Sequence, residues 1–151
     1  MENKTILEVK NVSKLYGLNK SEATKLLKKG AGKEEVLKKT DVSVALWDVS
    51  FKVKKGEVFV LIGLSGSGKS TMVRCLNRLI RPSSGEIFFK GKNVFGFSKQ
   101  ELREYRRNHI SMIFQSFGLM SRRDVLGNVV YGLVVKGIPT AGREAKALRI
   151  M

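Results

Sequence analysis

Apolar and polar positions along the chain change period several times, and each change predicts an element. Ile6 to Val12 alternates loosely and predicts a strand that ends near Tyr16-Gly17. Ala23, Leu26 and Leu27 form one short helical stripe and Val36 and Leu37 another, with Gly30-Ala31-Gly32 between them. Strand pattern returns from Val42 to Val53, with Trp47, Val49, Phe51 and Val53 on one face, and Lys54-Lys55-Gly56 makes a turn. The unbroken run Val58-Phe59-Val60-Leu61-Ile62 has no polar face, which predicts a strand buried on both sides of a parallel sheet. After it, Met72, Cys75, Leu76 and Leu79 recur at helical spacing as a core stripe, and Arg74, Asn77 and Arg78 take the other face.

Pro82 to Gly85 closes that helix, because proline cannot continue it. Glu86 to Phe89 predicts a further strand, turning at Lys90-Gly91-Lys92-Asn93. Ser98 and Glu101 have capping-box spacing, so a short helix should run to about Arg107. Ile110 to Phe114 predicts a strand that delivers Gln115 into a loop. Asp124 can cap a helix through Lys136 that places Val125, Val129 and Leu133 on one face, and Pro139-Thr140 introduces a last helix.

Between the apolar run and the helix after it lies Gly63-Leu64-Ser65-Gly66-Ser67-Gly68-Lys69-Ser70-Thr71. It fits G-x-x-x-x-G-K-[ST], the phosphate-cradling P-loop. Glycines let successive N–H groups curl around one anion, and the helix that follows opens with its positive end at the same spot. Lys69 would supply a mobile charge for the outer phosphates and Ser70 a hydroxyl for Mg²⁺. The flanking strand and helix are the context that the motif requires.

Composition narrows the class. The chain has 151 residues, 42% of them hydrophobic and 28% charged, the profile of a globular domain with a core of its own. No apolar run approaches the roughly 18 residues of a membrane span, and no apolar stretch follows the first charges as a secretory signal would. One cysteine, Cys75, excludes an internal disulfide and fits a reducing compartment. The net charge of +16 invites a nucleic-acid reading, but its basic residues are dispersed. Seven lysines and three glutamates lie in residues 18–40, and no basic run is interleaved with aromatics for base stacking. Solvated lysines facing acidic partners or lipid headgroups are the simpler account.

Tyr16-Gly17, the loop from Gly63 to Thr71, Pro82 to Gly85, and Phe114-Gln115-Ser116-Phe117 together resemble the N-terminal half of an ABC transporter ATPase subunit. The helical insertion after Gly17, Leu64 in the loop with Met72 to Ile80 behind it, and Glu101 to Met120 are similar to the glycine betaine/proline (quaternary amine) importer branch. The resemblance implies an α/β P-loop NTPase core with an antiparallel strand layer near the N-terminus and the beginning of a helical subdomain. It implies binding of ATP and Mg²⁺, with Gly63, Ser65, Gly66, Ser67, Gly68, Lys69, Ser70 and Thr71 around the phosphates and Ser70 on the metal. Tyr16 would stack on adenine, and Gln115 would be the Q-loop glutamine that touches Mg²⁺ or the attacking water and senses the membrane subunit. Its segments would be residues 1–17 for the first strand and adenine loop, 18–43 for the insertion, 44–118 for the core and 119–151 for the start of the helical subdomain.

The same resemblance exposes departures. The family's signature motif of the LSGGQ type, its Walker B strand ending in Asp-Glu and its switch histidine are not in this sequence. The one histidine, His109, precedes Gln115 and reads as a surface residue. The chain is therefore expected to be a truncated product that holds nucleotide without turning it over. The parent function would be ATP-driven import of glycine betaine- or proline-type osmoprotectants, by an ATPase dimer on the cytoplasmic face of the membrane. A permease and, indirectly, a solute-binding protein would be its partners, with no nucleic acid. An importer for another solute such as an amino acid, and a non-hydrolysing nucleotide-binding module, are the alternatives.

Overall fold

The computed structural model describes residues 4–114 and 118–149, which form two compact units, Met1–Phe97 and Ser98–Met151. In the first unit, β1 (Thr5–Tyr16), β2 (Ser43–Lys54), β3 (Ser84–Phe89) and β4 (Lys92–Asn93) make an antiparallel sheet in the order β2-β1-β3-β4. The β3–β4 hairpin turns on Lys90 and Gly91, both at positive φ (50° and 80°), the geometry that matches the twist of a tight hairpin.

The register of the β1–β2 ladder shifts at four places, and two of these shifts are opposed bulges at Asn11 and Asp48. Asn11 and Asp48 both take positive φ, 48° and 50°. The Asn11 side-chain amide donates to Asp48 Oδ1 at 2.8 Å, the Asn11 N–H to Ser50 Oγ at 2.8 Å, and the Asp48 N–H to Ser13 Oγ at 2.9 Å. A bulge inserts an extra residue and resets the alternation. Val44 and Leu46 are therefore buried before the Asp48 bulge, whereas Val49, Phe51 and Val53 are half-buried after it. A single alternating face through Trp47, as expected from sequence, misses the two best-buried residues of β2.

Between β1 and β2 stand α1 (Lys20–Lys28) and α2 (Lys33–Thr40). Leu15, Ala23, Leu27, Val36, Val42 and Val44 form one buried cluster, with Leu26, Ala31 and Trp47 packed on it. Fully burying an aliphatic side chain of this size contributes roughly 1.5–3 kcal/mol. Leu37 does not join Val36 in this core and is exposed, since consecutive helical residues diverge by about 100°.

The P-loop helix, α3 (Lys69–Leu76), is shorter than its stripe suggested. Met72 and Cys75 are buried as expected. Arg78, at φ 57°, stops the helix, and the N–H groups of Leu79 and Ile80 fold back to the Arg74 carbonyl at 2.9 and 3.0 Å. Leu79 consequently leaves the stripe and is exposed. Asn77 is buried rather than outward, and its Oδ1 accepts the Leu79 N–H at 3.1 Å.

Two expected strands are absent. Residues 57–64 carry no ladder, and Val58 and Ile62 are 88% and 91% exposed. A parallel strand exists only through its neighbours, and every pairing among the described residues is antiparallel and lies elsewhere. Phe59 is the half-anchored exception, its ring stacked on Phe51 with centroids 4.6 Å apart. Residues 110–114 likewise have no partner strand, and Ile113 is 99% exposed.

The second unit contains α4 (Lys99–Asn108), α5 (Val125–Val135) and α6 (Thr140–Leu148), with α5 and α6 in contact. Both halves of the Ser98–Glu101 capping box form: the Glu101 N–H donates to Ser98 Oγ at 3.2 Å and the Ser98 N–H to Glu101 Oε2 at 2.9 Å. Asp124 caps α5 by accepting the Gly127 N–H at 2.6 Å. Helix α5 ends one residue before Lys136, and none of its side chains is fully buried. Val129 and Leu133 are half-covered, while Val125 at its first turn is exposed. Among the described residues no helix is long and apolar enough to cross a membrane.

Candidate functional site

The loop from Gly63 to Gly68 is built on β2 and on its own lysine. Gly66 and Gly68 take φ 76° and 101°, a region that side chains disfavour. Gly68 also lies directly against β2: a Cβ there would fall inside the Ala45 carbonyl oxygen and 2.9 Å from Leu46 Cδ2. The final glycine is thus required by packing as well as by conformation.

Lys69 bends back over the loop. Its Nζ donates to the Gly63 carbonyl at 2.6 Å, the Leu64 carbonyl at 2.7 Å and Ser67 Oγ at 3.3 Å. A further bond from the Ser67 N–H to the Leu64 carbonyl, at 3.2 Å, closes the turn. The ammonium is therefore held against the carbonyls of its own loop.

Helix α3 starts at Lys69 with no side-chain cap on its first turn. Its leading N–H groups are the orphan donors of any helix start and carry the positive end of the dipole. Ser65, Ser67 and Ser70 are exposed around them, and Thr71 is half-buried. Behind this surface Cys75 is buried, and burial pushes its thiol above the usual range, partly opposed by the charge of Lys14.

The cluster of N–H donors at the helix start, with the ammonium of Lys69 beside it, fits a phosphate chain. The site fits Mg²⁺ as well, through the Ser70 hydroxyl, in the way that Mg²⁺ is ordinarily held by few protein oxygens together with substrate phosphates. No group of three or more His, Cys, Asp or Glu among the described residues could cage a metal on its own.

Tyr16 is the last residue of β1, and 43% of its surface is open. Strand β2 connects it to the loop: Ser43 pairs with Tyr16, and Ala45, two residues on, abuts Gly68. Two residues are roughly 7 Å along a strand. The aromatic and the end of the loop are therefore served by one strand terminus. Gln115, with Ser116 and Phe117, lies outside the described residues. His109 is the exposed C-terminal cap of α4, donating its N–H to the Tyr105 carbonyl at 3.0 Å.

Sequence inspection passed over two features of this site. Lys14 lies over the Tyr16 ring with its Nζ 4.9 Å from the centroid, and the same Nζ donates to the Arg81 carbonyl at 2.8 Å. Its place two residues before Tyr16, on the same side of a strand, was the available signal. Ala45 had none, because only its backbone is used.

The family profile described as ABC transporter matches residues 46–151. The chain belongs to the ABC transporter family. It is 48% identical over 142 residues to the glycine betaine/proline betaine transport system ATP-binding protein ProV of Salmonella typhimurium, covering 94% of this chain and 36% of that protein. It is 46% identical over 142 residues to the glycine betaine transport ATP-binding protein OpuAA of Bacillus subtilis, covering 94% of this chain and 34% of the relative. The chain therefore spans about a third of the length of these relatives. Among solved structures it is similar to the ATP-binding cassette MJ0796, in a dimeric post-hydrolysis state bound to ADP and Pi. That match has a TM-score of 0.73 and 29% identity, and covers 95% of this chain and 55% of the cassette. The mixed α/β architecture is that of a partial ATP-binding cassette.

Proposed function

We propose that this chain is the nucleotide-binding part of an ABC importer subunit that energises uptake of glycine betaine- and proline-type osmoprotectants. The observation that carries the reading is the loop itself: Lys69 clamped across the Gly63 and Leu64 carbonyls, at the uncapped start of α3. The solute class rests on the relatives, because no residue described here would touch a solute.

In this reading Gly63, Ser65, Gly66, Ser67 and Gly68 wrap the phosphates of ATP with backbone N–H groups. Lys69 swings from the loop carbonyls to the outer phosphates, and Ser70 and Thr71 place hydroxyls at the metal and the phosphate edge. Mg²⁺ would supply charge neutralisation between the phosphates. Tyr16 offers its open ring to the adenine. Gln115 would report the state of the site to a permease, on the cytoplasmic face of a membrane, with a second ATPase subunit opposite. Hydrolysis belongs to a full-length subunit. The present chain carries the phosphate-holding residues and no Asp-Glu pair at the end of an apolar strand to polarise the attacking water.

The test is in two parts. Calorimetry should detect MgATP binding to the chain. A chimera that places these residues in the matching segment of a glycine betaine transport ATPase should retain betaine-dependent growth at high osmolarity. Absence of nucleotide binding sinks the site, whereas a chimera that binds ATP without supporting uptake sinks the transport assignment.

A further inference from the structure

The turn after α3 is stitched to the end of β1. The Ser83 N–H donates to the Ser13 carbonyl at 2.8 Å, the Leu15 N–H donates to Ser83 Oγ at 3.0 Å, and Ser83 Oγ donates to the Leu15 carbonyl at 3.3 Å. Lys14, between these two strand residues, reaches the neighbouring carbonyl of Arg81. The same ammonium stands over one face of the Tyr16 ring. One cation therefore spans the segment that leaves the P-loop helix and the aromatic proposed to meet the base.

We propose that Lys14 is a positioning residue for nucleotide binding, which fixes the Tyr16 ring against the α3 exit turn and so sets the surface offered to the base. This rests on the base-stacking reading of Tyr16. Two contacts with different geometric demands hold the ammonium. A backbone carbonyl accepts along its lone pairs, and an aromatic face attracts a cation near its centroid. With both made, the ring has less freedom to turn while nearly half of its surface stays open. Lys14 itself would touch neither phosphate nor base.

Affinity for MgATP and for Mg-tripolyphosphate, which has phosphates but no base, separates this role from a general charge effect. Lys14→Met keeps the aliphatic stem and removes the cation. It should weaken MgATP binding roughly three-fold, the size of an exposed cation–π contact, and leave tripolyphosphate binding unchanged. Lys14→Arg should restore most of the loss. In a Tyr16→Ala background, Lys14→Met should have no further effect, since its contribution passes through the ring. Equal weakening toward both ligands would overturn the proposal and make Lys14 a source of general positive potential. No effect of Lys14→Met in a chain where Tyr16→Ala does weaken MgATP would overturn it while leaving the base-stacking reading in place. Unchanged MgATP affinity in Tyr16→Ala would overturn the stacking reading itself, and the role of Lys14 with it.

Discussion

Gly68 and the carbonyl of Ala45 are packed so closely that no side chain fits between them. The contact ties the last turn of the loop to a residue of β2 that no P-loop pattern includes. It also makes a sharp prediction. Gly68→Ala should be destabilised by at least the roughly 1–3 kcal/mol of a strained backbone position, because φ is 101° and the methyl meets a backbone oxygen rather than a movable side chain. Urea unfolding checks this. Gly66→Ala is the control: it has a positive φ but open space around its Cα, so it should cost less.

Lys69 closes the loop, and in the proposed reading it also meets the phosphates. Lys69→Ala should weaken MgATP by about 1.5–3 kcal/mol, the range for a hydrogen bond to a charged group, which is at least tenfold in affinity. Calorimetry on both forms measures it. Equal affinities would remove the phosphate role.

If Tyr16 stacks on the base as proposed, the ring should matter and the hydroxyl should not. Tyr16→Ala should weaken MgATP, whereas Tyr16→Phe should bind as wild type. A phenylalanine that behaves like alanine would show that the hydroxyl, not stacking, carries the contact.

The buried Tyr105 gives the second unit an alkaline limit. Desolvation pushes its phenol from the ordinary value of 10.0 to about 12. The folded state thus binds the proton more tightly than the unfolded state does. Its contribution to stability is complete below about pH 10 and lost progressively as pH rises to about 12. Denaturation midpoints across this window should fall for wild type and fall less for Tyr105→Phe.

The unpaired apolar segment Val58-Phe59-Val60-Leu61-Ile62 should drive self-association, since extended apolar backbone without a ladder recruits other chains. Light scattering should show assembly of the chain that is reduced by Val58→Lys with Ile62→Lys, two exposed positions where charge disturbs no core. Steady-state phosphate release should stay at background in either form. Mg²⁺-dependent turnover that Lys69→Ala abolishes would mean that the residues of catalysis have been misassigned.

Local chemistry was legible where the interacting groups are close in sequence. The Ser98–Glu101 box and the Asp124 cap are each decided within three residues, and the loop from Gly63 to Thr71 is a continuous motif whose geometry follows from its glycines and its lysine. Lys90-Gly91 likewise contains its own turn. The caps and the hairpin turn need no distant partner, so residue order is enough, whereas the loop is recognisable from its order but seats its last glycine on the remote Ala45.

Tertiary structure decided whatever depends on neighbours remote in the chain. Val58 to Ile62 has the composition of a central strand, yet it becomes one only if other strands lie on both sides, and among the described residues none does. The paired bulges at Asn11 and Asp48 choose which residues of β2 are buried, through side-chain bonds across 37 residues. Lys14 meets the Arg81 carbonyl across 67 residues, a contact that no local pattern encodes. Motifs report the bonds a segment makes with itself. Burial, pairing and the orientation of Tyr16 depend on surfaces that long-range closure alone brings together.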